Sequence, residues 1–196
     1  MHMPSTEKLK KYLEQFSAIP DRDWQLFSSR LQYRVFDRKQ QLLRAGETEQ
    51  YVSFIERGIV RYYVEEGDKE ITFELAFENS LASGYDSFLT RAPVVYAGEA
   101  LVDTALWSIG HADLQEIYAT SEIGDRIGRL AAEQLYIRKN KRQLSLLKDG
   151  AERRYVRLVE EYNHFIQLVP LKYLASYIGI TPQALSRIRR RLAAGH

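Results

Sequence analysis

Gln183 and Arg187 stand four residues apart in the segment TPQALSRIRRRL, which places both on one side of a helix. A glutamine amide pairs with adenine, a guanidinium donates two hydrogen bonds to a guanine edge, and Ala184 beside them suits a thymine methyl group. Ser186, Thr181 and Lys172 are groups for phosphate oxygens, and Arg190 and Arg191 extend the basic face. The run Arg189 to Arg191 is also favourable at a helix C-terminus without any ligand, so the pair at 183 and 187 carries the specific signal.

These side chains need a frame, and residues 170–192 supply one. Leu171, Leu174, Ala175 and Ile178 share one face of a first helix, and Gly179 suits the left-handed residue of a sharp reversal. Thr181 is placed to cap the second helix, Pro182 to open it, and Leu185, Ile188 and Leu192 continue the apolar face. Alanine, glycine four residues on and leucine six further on is the spacing of a helix-turn-helix.

Charge agrees with that placement. Residues 122–196 hold 15 Lys+Arg against 7 Asp+Glu, whereas the first 121 hold 13 against 19. A net of +8 on the C-terminal part and −6 on the rest marks a polyanion-binding module joined to something with another task. The absence of cysteine excludes disulfides, thiolate-held iron–sulfur clusters and a cysteine nucleophile. No stretch reaches the length and apolarity of a signal peptide or membrane span, so the expected location is cytoplasmic. No P-loop, dinucleotide-binding glycine pattern or nucleophile elbow is found, and neither catalysis nor a cofactor is expected.

Residues 4–18 form an amphipathic helix in this reading, with Leu9, Tyr12, Leu13 and Phe16 on its face and Ser5 as its cap. From Leu31 to Gly110 the period falls to two: Leu31, Tyr33 and Val35 alternate with Gln32 and Arg34, and Ile59, Arg61, Tyr63 and Glu65 with Val60, Tyr62 and Val64. Turns at Gly46, Gly58, Gly67 and Gly84 separate strands near 51–56, 59–65, 70–76, 94–100 and 104–110, the spacing of a barrel or jelly roll. A short helix is expected over 111–118.

A proline-free helix follows over 122–148, with Ile123, Leu130, Ile137 and Leu144 repeating every seven residues and Ile127 beside them. This stripe suits a homodimer seam or packing on the chain's own β domain, and the two are compatible. Asp149-Gly150 ends it. The fold class is α+β, with a β-roll domain over 1–121, a dimerisation helix over 122–148 and a DNA-binding domain over 149–196.

The order of β-roll, long helix and helix-turn-helix resembles the CRP/FNR family of bacterial transcription regulators over nearly the whole chain. LLRAGE with Gly46 and YVSFIERGIVRYY with Gly58 are similar to the family's first β-roll hairpins. AERRYVRLVEEY and PLKYLASYIGITPQALSRIRRRL are similar to its DNA-binding end, in the ITP and LSRIR form of Bacteroidetes-type members. The resemblance implies a cyclic-nucleotide-binding-like jelly roll, a winged-helix-like C-terminal domain and a cytoplasmic homodimer on a palindromic site in double-stranded DNA. It also implies contact with RNA polymerase and leaves a small-molecule effector open.

Family members that bind cyclic AMP carry a Gly-Glu pair and, about ten residues on, an Arg before a small hydroxyl residue. With AGEAL at 97–101 as the anchor, those positions fall near Ser83 and Gly84 and at Val94 and Val95. A buried cyclic phosphate would lack its bidentate cation, so cyclic AMP is not expected to bind. Arg91 is the one residue that rescues the site if the alignment shifts, and its neighbours Thr90 and Pro93 place it in an exposed loop. His111 alone makes no haem site. A cupin-type metal site needs histidines within 31–110, and there are none. The aromatic residues at 51, 54, 62, 63, 73, 77, 85, 88 and 96 serve as core or line an apolar pocket. The alternative to a DNA-binding regulator is a small-ligand module that acts through protein contacts.

Overall fold

A computed structural model describes residues 4–194. Two four-stranded antiparallel sheets form a β-sandwich between two sets of helices. The first sheet has the order β1 (Gln32–Phe36), β8 (Thr104–Gly110), β3 (Tyr51–Arg57) and β6 (Leu81–Ala82). The second has the order β2 (Gln41–Leu43), β7 (Ala97–Ala100), β4 (Ile59–Glu66) and β5 (Lys69–Phe77). Their inner faces meet through Leu43, Ile55, Val60, Tyr62, Ala100 and Leu106.

The outer faces are buried too, which strand alternation alone did not show. Helices α1 (Glu7–Glu14), α2 (Asp21–Ser28) and α4 (His111–Thr120) cover Phe54, Trp107 and Ile109 on the first sheet. On the second sheet, Ile59, Leu75 and Phe77 share a core with the C-terminal helices. Strand β4 therefore reads as five consecutive buried residues from Ile59 to Tyr63.

Several expectations shift. The N-terminal helix ends at Glu14, and α2 starts after Pro20, so the expected single helix over 4–18 is shorter and is followed by a second. Ser5 does receive the Glu7 N–H, at 3.2 Å. Val35 is 56% exposed and lies outside the core on β1, an edge strand. The strand expected from 94 begins at Ala97; Val94 instead exchanges hydrogen bonds with the turn at Gly46 and Glu47.

The long helix α5 spans Gly124–Lys148 and ends at Asp149. Three helices complete the chain: α6 (Ala151–Ile166), α7 (Leu171–Ile178) and α8 (Pro182–Ala194). No strand follows β8 among the described residues, so the winged-helix-like form has no wing there. The four-residue connection 167–170 between α6 and α7 is too short for a β-hairpin, and the remainder is helical. Gly195 and His196, at the end of the expected domain 149–196, lie outside the described residues, as do residues 1–3 of the domain 1–121.

Candidate nucleic-acid interface

Helices α7 and α8 meet across a three-residue turn. Gly179 sits at φ +81° and its N–H bonds back to Ser176, while the Ile180 N–H bonds to Ala175. Only a residue without Cβ adopts this left-handed geometry freely. The Thr181 hydroxyl accepts the Ala184 N–H at 3.2 Å, which makes it the cap of α8. Leu174, Ala175, Ile178, Leu185 and Ile188 are buried together, which fixes the rotation of α8 about its axis.

That rotation turns Gln183, Arg187, Arg190 and Arg191 outward, and all four are exposed. Gln183, Arg187 and Arg190 are without ion-pair or side-chain hydrogen-bond partners among the described residues. Ala184 and Ser186 lie at the half-buried margin. Two expected contact residues are engaged within the chain: Arg191 is hydrogen-bonded to Glu152 on α6, and Lys172 lies 4.0 Å from Glu70 on β5. Arg189 donates to the Tyr155 hydroxyl at 3.1 Å, so one cation of the arginine run has a structural role.

The sequence reading missed how the module is held on the β-sandwich. Arg61, fully buried on β4, donates to Glu99 at 2.6 Å, Glu70 at 2.9 Å and Thr72 at 2.8 Å. Its guanidinium lies between the rings of Tyr63 and Tyr173, the latter on α7. Next to it the Thr72 N–H donates to Ser176 Oγ at 2.9 Å. Arg142 on α5 donates to the Phe73 carbonyl at 3.3 Å and the Tyr177 carbonyl at 2.9 Å, joining strand, long helix and α7. Alternation put Arg61 on one strand face with Ile59, Tyr63 and Glu65, and the covering helix makes that face interior.

The proposed seam residues divide. Ile127 packs with the α1, α2 and α4 cluster and so faces its own domain, and Ile123 and Ile137 both line a cavity beside it. Ile137 and Leu144 are 45% and 50% exposed, with Tyr136 and Leu147 exposed nearby. Leu130 is half-buried.

In the β-roll, a short helix α3 (Tyr85–Thr90) precedes the loop at 91–96. Val94 is buried and Val95 is 81% exposed, and neither offers a cation or hydroxyl. The Gly84 N–H donates to Glu49 Oε2 at 3.1 Å, so an internal carboxylate occupies this donor. Arg91 lies in an exposed loop at φ +59° and spends its guanidinium on the Glu49 carbonyl at 2.8 Å and Gln50 at 2.6 Å. Tyr62, Phe73 and Tyr96 pack edge to face and tilted at the end of the roll nearest α5. Burial pushes the Tyr62 phenol well up, and Tyr96 is raised by burial and by its hydrogen bond to Asp86. His111 stacks edge-on against Phe88, and no group of three metal-ligating side chains occurs among the described residues.

A β-roll, one long helix and a helix-turn-helix follow one another along the described residues. The family model of the cyclic nucleotide-binding domain matches residues 33–121. No curated protein matches the chain in sequence. FixK2 of Bradyrhizobium japonicum shares 16% identity, over 84% of this chain and 85% of its own, with a TM-score of 0.71. A Eubacterium rectale protein described as a transcriptional regulator of the CRP/FNR family shares 16%, over 94% and 88%, with a TM-score of 0.68. The catabolite activator protein of Thermus thermophilus shares 20%, over 94% and 87%, with a TM-score of 0.57. The chain has the fold of the CRP/FNR regulators, and residues 33–121 are similar to the cyclic nucleotide-binding domain.

Proposed function

We propose that this chain is a sequence-specific transcription regulator that binds a palindromic operator as a homodimer and is not controlled by cyclic AMP. The carrying observation is the outward face of α8, where Gln183, Arg187 and Arg190 are unpaired among the described residues while Leu185 and Ile188 opposite them are buried. A surface of cations and amides on a helix fixed by a left-handed turn is suited to base edges and phosphates. The exposed Ile137 and Leu144 on α5 support pairing of two long helices, which would set two recognition helices on one DNA face. Contact with RNA polymerase follows from the family likeness.

Independence from cyclic AMP rests on Val94 and Val95 where a cation and a hydroxyl are needed, and on Glu49 at the Gly84 N–H. An anionic phosphate brought beside Glu49 would meet repulsion, and the nearby Arg91 guanidinium is already hydrogen-bonded to the Glu49 carbonyl and to Gln50.

The test is selection of bound sequences from random double-stranded DNA at near-physiological salt, with and without cyclic AMP. An enriched palindrome, the same in both arms, is the expected result. A site that enriches only with cyclic AMP overturns the independence. No enrichment in either arm overturns direct DNA reading by the purified chain and favours a small-ligand module that works through protein contacts.

A further inference from the structure

A cavity of about 1170 Å³ runs along α5, between that helix, the N-terminal helices and the end of the β-roll. It exceeds the ~300–1,000 Å³ of drug-sized pockets, which favours an extended occupant. Its walls are mostly apolar, with Leu13, Phe16 and Trp24 at the N-terminal helices and Phe73 and Tyr96 at the roll.

The polar groups on its wall are unevenly matched. Asp23 accepts the Ile123 N–H, Asp86 the Tyr96 hydroxyl, and Glu74 pairs with Lys139 at 3.0 Å. These acids are satisfied within the chain. Arg138 and Lys141, on successive turns of α5, line the same cavity and pair with no carboxylate among the described residues. Arg138 lies near enough to Tyr12 on α1 to oppose the upward push that burial gives this phenol. Glu161 is the one acid on the wall without a partner, which leaves the free charge there at two cations against one anion.

We infer that this cavity binds an amphipathic carboxylate of the fatty acid class, its chain along the aromatic wall and its head group on Arg138 and Lys141. Apolar burial supplies affinity and the two cations orient the ligand. A nucleotide fits poorly, because the roll end of the cavity presents Glu74 and Asp86 to a phosphate. The site is a binding site in its own right, and its use as an effector site rests on the regulatory reading above.

Both tryptophans of the chain, Trp24 and Trp107, line the cavity, so intrinsic fluorescence reports occupancy. The full-length protein is titrated with dodecanoate, dodecanol and dodecyltrimethylammonium below their micellar concentrations. Saturable binding of dodecanoate is expected, weaker by about tenfold or more for the cationic amphiphile and for the double variant Arg138→Gln, Lys141→Gln. Equal binding of all three, or an unchanged double variant, overturns the assignment of the head-group site. No binding of any of them overturns the cavity as a lipid site. Binding that appears only after Leu144→Glu, a position outside the cavity lining, dissociates a dimer overturns it in favour of a second copy as the occupant. DNA binding is followed in the same samples: acid binding without DNA binding leaves the site and removes the regulator, and the reverse removes the site alone.

Discussion

The guanidinium of Arg61 lies 3.6 Å from the centre of the Tyr173 ring, so a strand of the β-roll and the first helix of the helix-turn-helix share one buried cation. Glu99 and Glu70 balance its charge from the strand side, and Tyr63 stacks on its other side. The orientation of the C-terminal helical module is thereby tied to β4, whose next residue, Tyr62, faces into the roll.

Arg61→Ala should destabilise the chain by about 3–5 kcal/mol, because it leaves a largely buried carboxylate at Glu99 without its cation. Tyr173→Leu should cost about 1–2 kcal/mol, the loss of a desolvated cation–π contact. Urea unfolding of both variants checks the order; equal costs would mean that the ring, and not the ion pairs, holds the joint.

Arg187→Ala should lose about 1–3 kcal/mol of discrimination at one base pair of the selected operator. Arg190→Ala should weaken binding evenly across sequences and lower the salt slope by about one. Fluorescence anisotropy on the operator and its single-base variants over a salt series separates the two. Retained selectivity in the first variant removes Arg187 from base reading.

Gly58 and Gly179 both lie at positive φ, +112° and +81°, yet they should respond differently to alanine. A Cβ at Gly58 would overlap Thr104 Oγ1 and lie 2.7 Å from Thr104 Cα, whereas at Gly179 the nearest atom is 3.8 Å away. Gly179→Ala should cost about 1–2 kcal/mol, from backbone conformation alone. Gly58→Ala adds overpacking and should cost about 2–5 kcal/mol, as read by denaturant midpoints.

Ile137→Glu with Leu144→Glu should give a folded monomer, since both side chains are about half exposed in the single chain. Ile127→Glu should instead destabilise the fold by about 2 kcal/mol or more, by placing a carboxylate in the α1, α2 and α4 cluster. Sedimentation velocity with thermal unfolding distinguishes them. A double variant that stays dimeric would move the seam elsewhere.

Asp149 joins α5 to α6, and its carboxyl is held below the usual value of 3.8 by the hydrogen bond from Ser145 and then by Arg157 and Arg153, against the effect of burial. A folded value below the unfolded one means that its stabilisation is complete above the unfolded pKa and fades as pH falls through the folded pKa. Wild type and Asp149→Asn should therefore differ at neutral pH and converge in acid. Hydrogen exchange at the start of α6, measured across that range, is the check; a gap that persists at low pH would assign the effect to geometry instead of charge.

Much of this molecule was legible before folding because its signals are local. The left-handed Gly179, the Thr181 cap and the outward set at Gln183 and Arg187 each depend on a few neighbouring residues, and so do the period-two strands with turns at Gly46 and Gly58. The elements α2, β2, β6 and α3 were not legible; β2 and β6, of three and two residues, carry too little periodicity to separate from a loop. The amino-acid sequence alone determined the helix-turn-helix, the long helix and the strand alternation, for these follow from backbone geometry and hydrophobic period. Only the tertiary structure decided that Arg61 is interior, that Lys172 and Arg191 meet carboxylates, that Ile127 turns inward while Ile137 does not, and that a cavity lies along α5. Each depends on which distant surface arrives to exclude water from a side chain, and a strand or helix has no record of its partner until the chain has folded.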